Sequence, residues 1–196
     1  SQETRMQIYG DIYDDSMWLI KLVENLLSVT RIEDGRMDLR MSAELMDEVI
    51  AEAMRHTDRN RDGRKIEVSS DEEFILGKMD ARLIVQVVIN LVDNAVKYTP
   101  EGAQIRIHTG KKDGMVVVSV SDTGPGIPDE QKSKVFDMFY TGTNRAADGR
   151  RSLGLGLGLC RSIIRAHGGE IWVSDNKPQG AVFTFTLPAE EVTLHE

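Results

Sequence analysis

Three groups of residues have the types and spacing to handle a phosphorylated ligand. The first is Ser152-Leu153-Gly154-Leu155-Gly156-Leu157-Gly158-Leu159, where glycine alternates with leucine ahead of an apolar helical run from Cys160 to His167. Without a Cβ, backbone N–H groups there can approach a bulky anion. A helix that starts at such a loop turns its positive end toward that anion. The second is Asp122-Thr123-Gly124-Pro125-Gly126-Ile127, which follows the β-branched run Met115 to Val120. A carboxylate at a strand end accepts hydrogen bonds only and so suits an amino donor such as that of adenine. Read alone, the same residues also suit a plain turn. The third is Gln86, Asn90, Asn94 and Lys97, stepping by four, four and three along one face of a helix. Leu83, Val87, Leu91 and Ala95 form its apolar face. Solvated helix faces usually carry Glu and Lys, whereas Asn is a poor helix former. An amide oxygen can complete the shell of Mg²⁺, and a Lys can hold phosphate oxygens.

Asn90-x-x-x-Asn94-x-x-Lys97-Tyr98, Asp122-x-Gly124-x-Gly126, Phe136-x-x-Phe139 and Gly154-x-Gly156 stand in the order of the N, G1, F and G2 boxes. Over roughly residues 35–188 the chain closely resembles the ATP-binding catalytic domain of bacterial sensor histidine kinases. That domain lies within the wider group that includes gyrase, Hsp90 and MutL. Val23 to Leu27 and Arg31 to Gly35 resemble the second helix of the kinase dimerisation domain. Asp137 to Tyr140 and His167 to Ile171 are similar to potassium-responsive Kdp-type sensor kinases.

The resemblance implies a role for each matching position. Asp122 would bind the adenine amino group, and Gly124, Gly126 and Ile127 would let the backbone approach the base. Asn90 would give its side-chain oxygen to Mg²⁺, while Asn94 and Lys97 would hold phosphates and Tyr98 would lie against the adenine or ribose. Gly154, Leu155, Gly156 and Leu157 would form the lid hinge and offer N–H groups to phosphate. Phe136 and Phe139 would anchor the base of a lid between Asp137 and Leu153, with Phe139 also among the nucleotide-binding residues, and Arg145, Arg150 or Arg151 of that lid could meet the γ-phosphate. Thr141 stands where many relatives carry Arg. In gyrase-like ATPases a glutamate at the position of Gln86 activates water; an amide cannot take up that proton.

In sensor kinases the nucleophile is a histidine on the dimerisation helices. None of His56, His108, His167 and His195 sits in the acceptor pattern of His, acid, Leu and a basic residue. The acceptor is therefore expected upstream of Ser1, and the chain alone is expected not to phosphorylate itself. The resemblance further implies a response regulator as partner, a homodimeric parent, and a cytoplasmic position in a membrane-anchored sensor. Competing readings are an ATPase of the gyrase or Hsp90 type and a degenerate dimerisation or docking module.

Composition sets outer bounds. The chain has 196 residues, 40% of them hydrophobic but only 6% aromatic, so an aliphatic core is expected. A net charge of −8 argues against a nucleic-acid partner, which needs a basic face. The single cysteine, Cys160, cannot form an internal disulfide and should pack in the core.

These residues need a scaffold. Residues 4–32 read as one long helix with a near-heptad seam of Ile12, Leu19, Leu22, Leu26 and Val29, ended by Gly35 and thick enough to need partners on two sides. Ser42 is expected to cap a helix through Thr57, and Asp80 to cap the Asn-bearing helix. Strands are expected at Lys65 to Ser69, Phe74 to Lys78, Gln104 to Thr109, Met115 to Ser121, Gly169 to Ser174 and Ala181 to Leu187. A turn at Gly110 to Gly114 would join the third and fourth. The fold class is α+β: a two-layer sandwich of a mixed, largely antiparallel sheet and three main helices, which the resemblance identifies as the Bergerat ATP-binding fold. The expected division is residues 1–34, a dimerisation-type helix; 35–188, the catalytic domain; and 189–196, a tail.

Overall fold

The computed structural model describes residues 1–57, 64–140 and 154–191. Arg145, Arg150, Arg151, Thr141 and His195, singled out above, lie outside the described residues.

Helix α1 runs from Gln2 to Glu33. It ends in a Schellman turn: Arg36 N–H donates to Arg31 O at 2.9 Å and Gly35 N–H to Ile32 O at 3.1 Å, with Gly35 at φ 64°. Five strands then form the main sheet in the order β2 (Lys65–Ser70), β4 (Gln104–Lys112), β5 (Met115–Asp122), β7 (Ala181–Pro188) and β6 (Ile171–Asp175). β2 runs parallel to β4 and the other pairs are antiparallel, so the sheet is mixed and largely antiparallel as expected. Helices α2 (Met46–Thr57), α3 (Ala81–Tyr98) and α5 (Gly156–Ala166) make the second layer, with the single turn α4 at Asp129–Lys132.

Period-two alternation explains the sheet. On β5, Val116, Val118, Val120 and Asp122 all face inward, so the register that buries three valines also turns the carboxylate into the molecule. On β7 the inward residues are Phe183, Phe185 and Leu187. The helical layer meets them with Ile84, Val87, Val88, Leu91 and Val92 of α3 and Leu159, Ile163 and Ile164 of α5. This core is aliphatic apart from a few rings; Phe136 meets Phe183 edge-on at 6.0 Å. Cys160 is buried, and burial pushes its thiol up to about 12.

Three local expectations are corrected. Ser42 does not cap a helix: Ser42–Leu45 is a strand, β1, paired antiparallel with β3 (Leu76–Met79), and α2 starts at Met46, whose N–H bonds Ile75 O. The turn between β4 and β5 is shorter than Gly110 to Gly114. The ladder continues to Lys112↔Met115, and Asp113-Gly114, with φ 52° and 73°, forms a two-residue hairpin turn. Asp80 does occupy the N-cap of α3, but its side chain does not cap. Its Oδ2 accepts from Arg40 N–H at 3.1 Å and Arg82 Nη2 at 3.2 Å. Burial opposes the charge on Asp80, and these donors outweigh it and hold its pKa low.

The expected seam of α1 also divides. Val29 is 2% exposed, and Trp18, Leu22, Asn25 and Ile32 are half-buried. They step by four, three, four and three, which is the stripe that packs on the catalytic layer beside α5. Ile12, Leu19 and Leu26 are 56%, 51% and 40% exposed, so the second apolar side faces outward.

Candidate functional site

Asn90, Asn94 and Lys97 project from α3 into one cavity of ≈ 510 Å³. Asp122 enters it from the end of β5, Gly126 and Ile127 from the following loop, and Gly154, Leu155, Gly156 and Leu157 from the start of α5. Tyr98, 45% exposed, also lines it. The volume suits a drug- or nucleotide-sized ligand.

Asp122 is the most constrained group. It is 6% exposed, and its Oδ1 accepts from Gly124 N–H at 2.9 Å and Ala181 N–H at 3.3 Å. Burial raises its pKa and the two backbone donors oppose that rise. Gly124 lies behind the carboxylate rather than on the cavity wall: a Cβ there would sit 2.9 Å from Thr99 Cγ2 and 3.0 Å from Asp122 Oδ1. Gly126, at φ 78°, lets the loop pass the Gly180 carbonyl, which a Cβ would approach to 3.0 Å. Asn176 Nδ2 donates to Asp122 O at 2.7 Å and so ties the β6–β7 loop to the same strand end.

On α3, Gln86 Nε2 donates to Asn90 Oδ1 at 3.0 Å, and Asn90 Nδ2 lies 3.5 Å from Gly156 O. Helical spacing and the α3–α5 contact thus hold the Asn90 amide against the G2 loop. Lys97 Nζ sits 5.0 Å from the Tyr98 ring centroid. The N-terminus of α5 has no side-chain cap, and Gly156 and Leu157 of its first turn line the cavity.

Phe139 departs from expectation. It is 59% exposed at φ 65° and does not line the cavity, although its N–H donates to Gly154 O at 3.1 Å. Phe136 is buried in the core, and Val135 and Met138 pack against it, so these residues anchor the segment. Residues given no site role from the sequence also line the cavity: Pro125 between the G1 glycines and Pro128 after Ile127, Asp93 beside Asn94, Tyr140 beside Phe139, and Trp18, Lys21, Leu22 and Asn25 of α1. The first four adjoin motif residues; the α1 group carries no local signal.

The three described histidines lie away from the cavity. His56 pairs with Glu52, and His108 bridges Ser69 and Asp71 on the sheet's outer side. His167 is buried beneath α3, where its Nε2 accepts from Asp80 N–H at 3.0 Å.

An α+β layer with an amide-bearing helix, a strand-end acid and an uncapped glycine-started helix around one hollow defines a class, and the comparisons agree. The chain belongs to the family described as histidine kinase-, DNA gyrase B-, and HSP90-like ATPase, which matches residues 79–191. It is 40% identical over 189 residues to the sensor protein KdpD of Clostridium acetobutylicum, covering 96% of this chain and 21% of that protein. It is 32% identical over 192 residues to the adaptive-response sensory kinase SasA of Gloeothece citriformis, covering 95% of this chain and 48% of that one. The chain therefore spans from about a fifth to just under half of these relatives. The catalytic domain of histidine kinase ThkA superposes with a TM-score of 0.66 at 33% identity, over 78% of this chain and 97% of that one. ThkA in complex with response regulator protein TrrA gives 0.68 at 31%, over 88% and 49%. Among the described residues no helix is long and apolar enough to cross a membrane.

Proposed function

We propose that this chain is the Mg·ATP-binding catalytic portion of a two-component sensor histidine kinase, transferring the γ-phosphoryl group to a histidine supplied from outside it. Its homology to sensor histidine kinases supports this, and one observation carries it: the Asn90 amide, the buried Asp122 carboxylate and the uncapped start of α5 share one cavity.

Asp122 binds the adenine amino group through its second oxygen, because Oδ1 is already occupied by Gly124 and Ala181. Gly126 and Ile127 lie along the base and Tyr98 along the base or ribose. Lys97 and Asn94 hold phosphate oxygens, and the N–H groups from Gly154 to Leu157 add backbone donors and the positive end of α5. Asn90 offers Oδ1 to Mg²⁺. One amide oxygen fits a hydrated ion that takes most of its remaining protein-side charge from phosphates, and no cluster of three metal-ligating side chains occurs among the described residues. Bound Mg²⁺ would offset negative charge on the phosphates. Gln86 orients Asn90 and cannot activate water, so bound ATP persists until a histidine arrives.

Residues 1–34 then act as a dimerisation-type helix and 35–188 as the catalytic domain, with 189–196 a tail. The parent is a dimer that passes phosphoryl to a response regulator; that such a protein is its partner is supported by ThkA, a structural neighbour solved in complex with response regulator protein TrrA. The test is incubation of the chain with Mg·[γ-³²P]ATP. Saturable binding, slow phosphate release and no acid-labile label on the chain are expected. Sustained turnover would instead favour the gyrase-type ATPase, and absence of binding the docking module.

A further inference from the structure

Helix α1 does more than lean on the catalytic layer. Val29 and Ile32 fix its C-terminal half against the core, and Trp18, Lys21, Leu22 and Asn25 line the cavity. The cavity keeps ≈ 510 Å³ with α1 in place, so the helix walls the space and does not fill it. Lys21 lines the same cavity as Asn94 and Lys97, the residues proposed to hold phosphate oxygens, with Asp93 beside them. Among the described residues lining the cavity, the cations are Lys21 and Lys97 alone. A nucleoside triphosphate brings more negative charge than one ammonium and a helix terminus offset, and position 141, after Tyr140, supplies Thr in place of Arg.

We propose that Lys21 is a nucleotide-contacting residue: docked α1 completes the binding site, with the Lys21 ammonium meeting the terminal phosphates and the Trp18 ring closing the mouth. This rests on the Mg·ATP reading above. It has a reciprocal consequence. If α1 contributes to nucleotide affinity, nucleotide must equally hold α1 against the catalytic layer, so displacement of the helix and loss of ATP are linked.

The test is calorimetric titration of the whole chain with Mg·ATP and, separately, with adenosine, using wild type, Lys21→Met and Lys21→Arg. Lys21 is exposed, so neither change threatens the fold. Lys21→Met should raise the Kd for Mg·ATP about tenfold, the scale of one charge-assisted contact, and leave adenosine unchanged. Lys21→Arg should stay near wild type. In a Trp172→Phe background, where Trp18 is the remaining tryptophan, its emission should change on addition of Mg·ATP. Wild-type-like or tighter Mg·ATP binding by Lys21→Met, or an unaltered Trp18 emission, would overturn the role of α1 while leaving the ATP site standing. A wild-type chain that binds no Mg·ATP would overturn both.

Discussion

Gln86 Nε2 donates to Asn90 Oδ1 across 3.0 Å, so an amide N–H points at the very oxygen proposed to face the metal. A carboxylate at residue 86 would reverse that polarity and could accept a proton from water. Gln86→Glu should therefore raise steady-state phosphate release by about a hundredfold, the lower end of what a positioned general base contributes. A coupled phosphate assay under saturating Mg·ATP measures it. An unchanged rate would mean that residue 86 does not decide whether water attacks.

Asp122 supplies the second prediction. Asp122→Asn keeps the side-chain shape and one acceptor but loses the charge, and should weaken Mg·ATP binding by about 1.5–3 kcal/mol. A pH dependence follows. Burial raises the folded-state pKa of Asp122 above the ordinary 3.8. The carboxylate proposed to bind adenine is therefore lost earlier on acidification than a free aspartate would be. Affinity for adenosine should fall as the pH drops toward that raised pKa in wild type, and much less in Asp122→Asn. Adenosine titrations on the acid side of neutrality report this without phosphate ionisation in the way.

His167 links pH to stability. Its Nδ1–H donates to Ile163 O at 2.8 Å while Nε2 accepts from Asp80 N–H at 3.0 Å, an arrangement open only to the neutral ring. Burial lowers its pKa below 6.5. The unfolded chain then binds the proton more readily, so this stability is complete above 6.5 and declines as pH falls, by up to about 1.4 kcal/mol per unit until the folded-state pKa is reached. His167→Phe, which orphans the Asp80 N–H, should cost about 1–3 kcal/mol at pH 7.5 and flatten the decline toward pH 5.5. Urea denaturation at the two pH values checks both.

Two glycines separate folding from binding. A Cβ on Gly169 would sit on the Thr186 carbonyl, backbone against backbone, so Gly169→Ala should destabilise by about 3 kcal/mol or more. A Cβ on Gly156 would meet only Asn90 Cγ at 3.9 Å. Gly156→Ala should leave the melting temperature unchanged or raised, yet weaken Mg·ATP binding, because the added methyl lies toward Asn90, where phosphate is proposed to approach the backbone. Equal effects of the two changes on melting would contradict this division.

Much of the fold and site could be read from local periodicity. Alternation along Met115 to Asp122 buries the acid with its valines, and the four-residue step from Gln86 through Asn90 to Asn94 places amides on one stripe. What escaped depends on contacts between distant segments. Ser42 became a strand because Leu76–Met79 was there to pair with it. Phe139 is apolar yet exposed, since a positive φ next to the Gly154 carbonyl turns it outward. Asn176 reaches Asp122 only through the β6–β7 loop. The stripe from Trp18 through Asn25 to Ile32 carries an amide at its centre, and the more apolar Ile12, Leu19 and Leu26 drew the seam to the side that faces outward.

On the reading proposed above, one cavity joins Asn90, Asp122 and Gly156 around Mg·ATP. The direct measurement is calorimetric titration of wild type and the Asn90→Ala/Asp122→Asn double variant with Mg·ATP, alongside urea unfolding of each. The account predicts a single saturable site in wild type and no measurable binding by a double variant that still unfolds cooperatively. Equal binding by a folded double variant, or no heat with wild type, would contradict it.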